Sequence, residues 1–418
     1  MLKNLLMDKI GKKARIAAKE LVDIDIKKKN EVLREYCNYL NIYSKNILKA
    51  NKKDVAKAKK IKSSMIDRLI LDSNKINLIR KSIYEIIKFN DPVGKTLSSW
   101  KRPNGLLIKR VSIPIGTIGI IYESRPNVTA DVAALCFKSG NAVILRGGSN
   151  AFNSNKILSN LFKKALKKNK CDKNCVQFIE NQDRKNVDYL LSRMQKYIDV
   201  IIPRGGKNLV KKIRLKSKVP TIGHLEGICH VYINKESSLE MAIKVVKNSK
   251  MRNFNICGAA ETLLIDKDCL KTHCNPILKS LSKLGCKVIG DDKIKKIFSK
   301  DIKKAKVKDW NKEYLAPIIS VKSVEGVNDA IQHINKYGTS HTDAIVTRNK
   351  KIAKKFFAGV NSAIVIHNAS TQFADGGEFG FGAEVGISTE RLHPRGPVGI
   401  NQLTTYKYIV EGKGQIRK

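Results

Sequence analysis

Cys257 lies in Asn255-Ile256-Cys257-Gly258-Ala259-Ala260-Glu261-Thr262-Leu263-Leu264. Asn and Gly flank the thiol, and the apolar run behind it predicts a buried strand. A cysteine displayed on such a loop meets a substrate from the backbone side. As a thiolate it is a strong nucleophile, given a neighbour that lowers its pKa. The other reading is a small apolar residue at a strand end. Among the other eight cysteines, Cys286 comes closest in setting, between Gly285 and Lys287.

Two turns offer donors to an anion. Arg146-Gly147-Gly148-Ser149 and Arg204-Gly205-Gly206 each follow an apolar run. Glycine permits close backbone approach and arginine supplies a fork of donors. Either turn also fits an ordinary tight turn with an exposed arginine. No Gly-x-Gly-x-x-Gly follows a strand, so the usual dinucleotide fingerprint is missing. The close pairs Cys171/Cys175 and Cys269/Cys274 lack a His or Cys at zinc spacing, so no metal is expected.

The elements that position these residues read as α/β. Residues 12 to 90 carry helical periodicity. Pro103-Asn104-Gly105 between two extended runs predicts a hairpin. Thr117 to Ile121 is an apolar strand. A helix follows, capped at Ser124 or Arg125 with Pro126 in its first turn and Gly140 at its end. Ala142 to Leu145, Val176 to Ile179 and Val200 to Ile202 are further strands. A second α/β run places strands at 230–233, 261–265, 343–347 and 362–366. Two doubly wound α/β domains follow from this order. Thr404 to Val410 reads as an exposed strand seeking a partner, and we expect it to pair with the hairpin across a subunit boundary.

A chain of 418 residues needs more than one core. Its 42% hydrophobic and 28% charged composition is that of a soluble globular protein. No apolar run reaches the ~18 residues that span a membrane. Nine cysteines without framework spacing predict reduced thiols and a cytoplasmic location. The net charge of +44 raises a nucleic-acid role. Its distribution argues against one. Residues 113–151 hold Arg125, Lys138 and Arg146 against Glu123 and Asp131, and residues 361–400 are net acidic. The excess lies in Lys-rich helix faces, only 17 of 81 basic residues are Arg, and few aromatics interleave.

Several long blocks carry a resemblance. They are residues 121–131 (Ile-Tyr-Glu-Ser-Arg-Pro-Asn-Val-Thr-Ala-Asp), 138–142, 146–149, 202–206 and 223–230 (Gly-His-Leu-Glu-Gly-Ile-Cys-His). The Cys257 block, 333–343, 368–382 and 404–408 complete them. Together they resemble the gamma-glutamyl phosphate reductases, the glutamate-5-semialdehyde dehydrogenases of proline synthesis, within the aldehyde dehydrogenase superfamily. The resemblance covers nearly the whole chain.

It implies an aldehyde dehydrogenase-like fold: an NADPH-binding domain (1–95 and 113–228), a catalytic domain (229–366), and a small β oligomerisation region (96–112 and 397–418). Segment 367–396 returns to the cofactor domain. It implies NADPH, L-glutamyl 5-phosphate supplied by glutamate 5-kinase, and a homo-oligomer. Cys257 matches the nucleophile, and Ser124 stands where hydrolytic relatives carry an oxyanion Asn. Arg146, Gly147 and Gly148 with Arg204, Gly205 and Gly206 fall on the cofactor side. There Arg146 suits a 2′-phosphate, and Glu313 matches the acid that holds the nicotinamide ribose. His224, His230 and Arg252 are candidates for the substrate or phosphate end. His224 stands where hydrolytic relatives keep a water-activating Glu, which favours phosphate as acyl acceptor. Asn253 and Asn255 depart from the small and basic residues common before the cysteine. A hydrolytic or acyl-CoA-dependent dehydrogenase is the competing enzyme, and a basic binding protein on the same fold is the non-catalytic alternative.

Overall fold

The computed structural model of the protein describes residues 4–58, 63–298 and 302–417. Two compact units are present. The first comprises Met1–Gly223, Gly380–Gly386 and Val398–Lys418, the second His224–Phe379 and Ile387–Pro397. These bounds differ from the expected ones. The second unit takes in His224 to Ile228. Of segment 367–396, only 380–386 joins the first unit, where Val385 is fully buried in its core.

Helices Leu5–Leu21, Ile26–Ile42, Ser44–Lys57, Ser63–Leu69 and Ser73–Lys88 open the first unit. Asn4, Asp25 and Asp72 cap three of them by accepting the N–H groups of Met7, Lys28 and Lys75. Their apolar faces bury Leu33, Tyr36 and Ile83 in one core with Phe137 and Phe162. β1 (Thr96–Lys101) and β2 (Leu107–Pro114) form the expected hairpin, and Gly105 takes φ +90° at its turn. β3 (Thr117–Tyr122), β4 (Ala142–Gly147), β5 (Val176–Phe178) and β6 (Val200–Arg204) make a parallel sheet ordered β5-β4-β3-β6. β3 and β4 are buried throughout, as continuous apolar runs require between two helical layers. The order reverses between β3 and β6, so the exits of β3, β4 and β6 meet at a switch point.

β7 (Cys229–Ile233), β8 (Ala260–Asp266), β9 (Lys287–Gly290), β10 (Lys303–Lys304), β11 (Ile318–Val324), β12 (Thr342–Val346) and β13 (Ile364–His367) form the sheet of the second unit. Their order is β10-β9-β11-β8-β7-β12-β13, parallel throughout. β14 (Ile387–Ser388) and β15 (Gly396–Pro397) pair antiparallel beside it in sequence.

β16 (Thr404–Glu411) returns to the first unit and pairs antiparallel with β2 along its whole length, from Thr404 opposite Pro114 to Glu411 opposite Leu107. The expected pairing across a subunit boundary is thus corrected: the strand finds β2 of its own chain. Leu403, fully buried just before it, fixes the entry by accepting the Asn141 Nδ2–H at 2.8 Å. No helix among the described residues is long and apolar enough to cross a membrane.

Candidate active site

Three chain segments converge at the amino ends of neighbouring strands β8, β7 and β12. Cys257 occupies the turn before β8, His224 the approach to β7, and His341 the residue before β12. The Cys257 sulfur and one ring nitrogen from each imidazole lie within 4.8 Å of one another. The two rings meet edge to face, 4.9 Å between centroids. His224 Nδ1 is 2.8 Å from the Ile387 carbonyl, which can only accept, so Nδ1 carries the proton. His341 Nδ1 is 2.9 Å from the Thr342 hydroxyl. Both rings are therefore oriented by their far nitrogens.

The electrostatics distinguish this thiol. Burial raises the Cys257 pKa, but the charges of His341 and then His224, with their polar contacts to sulfur, outweigh it and hold the thiol well below its ordinary value. Cys286, the nearest look-alike in sequence, is pushed up to about 11 by burial, and Cys37, Cys269 and Cys274 to about 12. A half-buried thiol beside two imidazoles has the setting that favours a thiolate.

The loop is held from several sides. A Cβ on Gly227 would stand 2.2 Å from the Cys257 carbonyl oxygen, so only glycine permits this backbone approach. The Cys229 thiol donates to the same oxygen at 3.1 Å. Buried Gln372 donates to the Ser249 and Asn253 carbonyls and accepts from Arg252 Nε at 2.8 Å. Asn253 Oδ1 accepts the Asn255 N–H, so these two residues build the local turn. Lys250 and Glu261, both fully buried, pair at 2.5 Å across the loop's two ends. We expect Gly227→Ala to displace the loop, costing about 1–3 kcal/mol of stability and at least about tenfold in kcat. Steady-state kinetics beside a denaturant melt check this, and unchanged kcat would refute it.

The other expected residues fall as follows. His230 is fully buried on β7, where its Nδ1 pairs with Asp343 at 2.8 Å on β12. It ties two strands together and is removed from the substrate candidates. Arg252 is engaged by Gln372 as a loop clamp. Glu313 accepts the Gly227 N–H at 2.9 Å, and its pKa is raised, by burial first. Ser124 belongs to the first unit, at φ +31°, buried at the exit of β3. It does not cap the following helix. Arg125 holds the cap position without a side-chain bond, and Pro126 begins the helix.

Internal carboxylates meet backbone N–H groups in the second Arg-Gly-Gly turn and at the helix that follows the first. Asp54 accepts the N–H groups of Asn153 and Ser154, at 3.1 and 2.8 Å, where the helix Phe152–Lys168 starts. Glu123 accepts the Gly206 N–H at 2.9 Å, at the cap of the helix Lys207–Lys216. Arg146 is largely buried and spends both terminal nitrogens on the carbonyls of Gly147 and Gln182. A carboxylate thus takes the Gly206 N–H of the second turn, while Asp54 meets the start of the helix beyond the first turn and not its glycines. Arg146 and Arg204 each keep a buried Nε–H without a hydrogen-bond partner, at the exits of β4 and β6.

Nothing in the local sequence marks His341 or Gln372 as a site residue. His341 was visible only as part of a block with His333 and Asp343, and its meaning needs the order β8-β7-β12.

A cysteine on the turn before a strand of a parallel sheet, in a chain with a second parallel α/β unit, is the layout of the aldehyde dehydrogenase class, and the chain matches that class. Residues 301–408 match the Aldehyde dehydrogenase family. The chain is 49% identical to the gamma-glutamyl phosphate reductase of Parvibaculum lavamentivorans, over 99% of this chain and 98% of that one. A crystal structure of gamma-glutamyl phosphate reductase from Thermotoga maritima superposes with a TM-score of 0.95 at 42% identity, covering 99% of this chain and all of that one. An acetylating aldehyde dehydrogenase from Geobacillus thermoglucosidasius shares the fold alone, with a TM-score of 0.71 at 16% identity over 99% and 98% of the two chains. The chain belongs to the gamma-glutamyl phosphate reductase family.

Proposed function

We propose that this enzyme reduces L-glutamyl 5-phosphate to L-glutamate 5-semialdehyde and phosphate, the second step of proline synthesis from glutamate, through a thioester on Cys257. The observation that carries the mechanism is the thiol set between His224 and His341. The sulfur attacks the acyl carbon, the carbon–oxygen bond to phosphate breaks, and phosphate leaves with the electron pair. When bound, NADPH would supply a hydride to the thioester carbon, which turns its carbonyl oxygen into an oxyanion. The oxyanion at the acyl carbon is assigned to the Cys257 backbone N–H, with Ser124 assigned on the family motif. Its collapse breaks the carbon–sulfur bond and restores the thiolate.

The first unit is assigned to the nucleotide, through Arg146 and Arg204, and Glu313 to the nicotinamide ribose. An acyl phosphate is labile, so direct transfer from glutamate 5-kinase in the cytoplasm fits this reaction. The sheet of β1, β2 and β16 exposes Leu97, Trp100, Tyr406, Tyr408 and Val410. This exposed apolar patch is assigned to oligomer contact.

An imidazole, His224, stands where a water-activating carboxylate would serve hydrolysis. Run backwards, semialdehyde and NADP should therefore give NADPH beyond a single equivalent per enzyme only with added phosphate. Arsenate should substitute for phosphate, and hydroxylamine should trap a glutamyl hydroxamate when phosphate is present. Steady NADPH formation without phosphate, with free glutamate as product, would instead identify a hydrolytic dehydrogenase.

A further inference from the structure

We infer that His224, Cys257 and His341 form a three-ligand site for zinc, or a similarly thiophilic divalent cation, whose occupancy blocks the thiol reversibly. A thiolate and two imidazoles are the donors zinc prefers, and oxygen-seeking cations have no such match here. The three donor atoms already lie within 4.8 Å of one another. Tetrahedral zinc with bonds of about 2.0–2.3 Å needs its ligands roughly 3.3–3.8 Å apart, so about an ångström of contraction closes the set.

The outer contacts are those a metal site needs. His224 gives its Nδ1–H to the Ile387 carbonyl, and His341 faces the Thr342 hydroxyl with Nδ1. Each ring is thereby fixed with Nε2 as the ligating nitrogen. His341 is fully buried, and its Nε2 has no partner of hydrogen-bond geometry. A cation would satisfy it. Three protein ligands leave the fourth position to water, an open site of the catalytic type. The sequence shows no zinc spacing because the ligands come from three distant segments.

Binding is measurable without substrate or nucleotide, so its failure is separate from failure of the proposed reaction. The test is iodoacetamide labelling of Cys257 in the wild-type enzyme titrated with zinc chloride. With zinc at ten times its dissociation constant, labelling should slow about tenfold, and a chelator should restore it. Cobalt chloride should bind at one ion per chain and give a near-ultraviolet thiolate charge-transfer band. That band should vanish in Cys257→Ser, and His341→Ala should weaken cobalt binding by at least about tenfold. Unslowed labelling at zinc up to about 100 μM would overturn the inference. So would equal cobalt affinity in the wild type and Cys257→Ser. The wild-type labelling decides the matter even if a variant folds poorly.

Discussion

Cys257→Ser is expected to lower turnover by at least about ten-thousandfold, as loss of a nucleophile does, while leaving the melting temperature nearly unchanged. The hydroxyl fills the same space but cannot ionise between the two imidazoles. Iodoacetamide should inactivate the wild type by labelling Cys257, since burial pushes Cys286 up to about 11 and Cys274 to about 12. The pH dependence follows from the sign of the shift. The thiol is held below its ordinary value, so the thiolate persists as pH falls. Labelling should stay nearly flat through neutral pH, where an ordinary thiol titrating near ~8.5 loses about tenfold per pH unit. His341→Ala removes the largest opposing charge, so neutral labelling should fall and recover at alkaline pH. Substantial turnover in Cys257→Ser would remove the thiol from the mechanism.

The largest effect on stability is expected from Lys250→Met. Lys250 and Glu261 are both fully buried and pair at 2.5 Å. Burial pushes Glu261 up to about 7, with Lys250 holding it down. Removing the ammonium leaves a buried carboxylate without its partner, a loss of about 3–5 kcal/mol. Glu261 also accepts the Leu315 N–H at 3.1 Å. The double variant Lys250→Met/Glu261→Gln keeps that acceptor without the charge and should recover most of the loss. Denaturant unfolding of the wild type and both variants measures this. A single variant as stable as the wild type would show that the pair contributes little.

Much of the fold is legible in the residues. The runs Thr117 to Ile121 and Ala142 to Leu145 become β3 and β4 because unbroken apolar stretches satisfy a strand buried on both faces. Asn104-Gly105 marks its hairpin because glycine accepts the positive φ. β9 and β11 were missed. Lys287-Val288-Ile289-Gly290 is short, and Lys322 interrupts Ile318–Val324, so neither shows a long apolar signal. The helix Val327–Tyr337 between β11 and β12 was missed with them.

The site divides along similar lines. Cys257 was marked by its loop and motif, and His224 by its place in a block. His341 was not marked as a partner of the thiol, because its proximity depends on three parallel strands lying side by side. His230 looked equally chemical in sequence, yet its Asp343 pairing is a matter of strand register. By its place after a strand Arg146 suits a 2′-phosphate or an exposed turn. Its environment turns it inward, since the carbonyls of Gly147 and Gln182 at the strand exit need donors.

In the proposed reaction Cys257 carries the acyl group. The most direct test mixes enzyme, NADP and glutamate semialdehyde without phosphate, quenches with acid, and sequences the peptides by mass spectrometry. One equivalent of NADPH should form in a burst, with a glutamyl group on the Cys257 peptide that phosphate then discharges. A burst with the group on another residue, or with no covalent adduct, would contradict it.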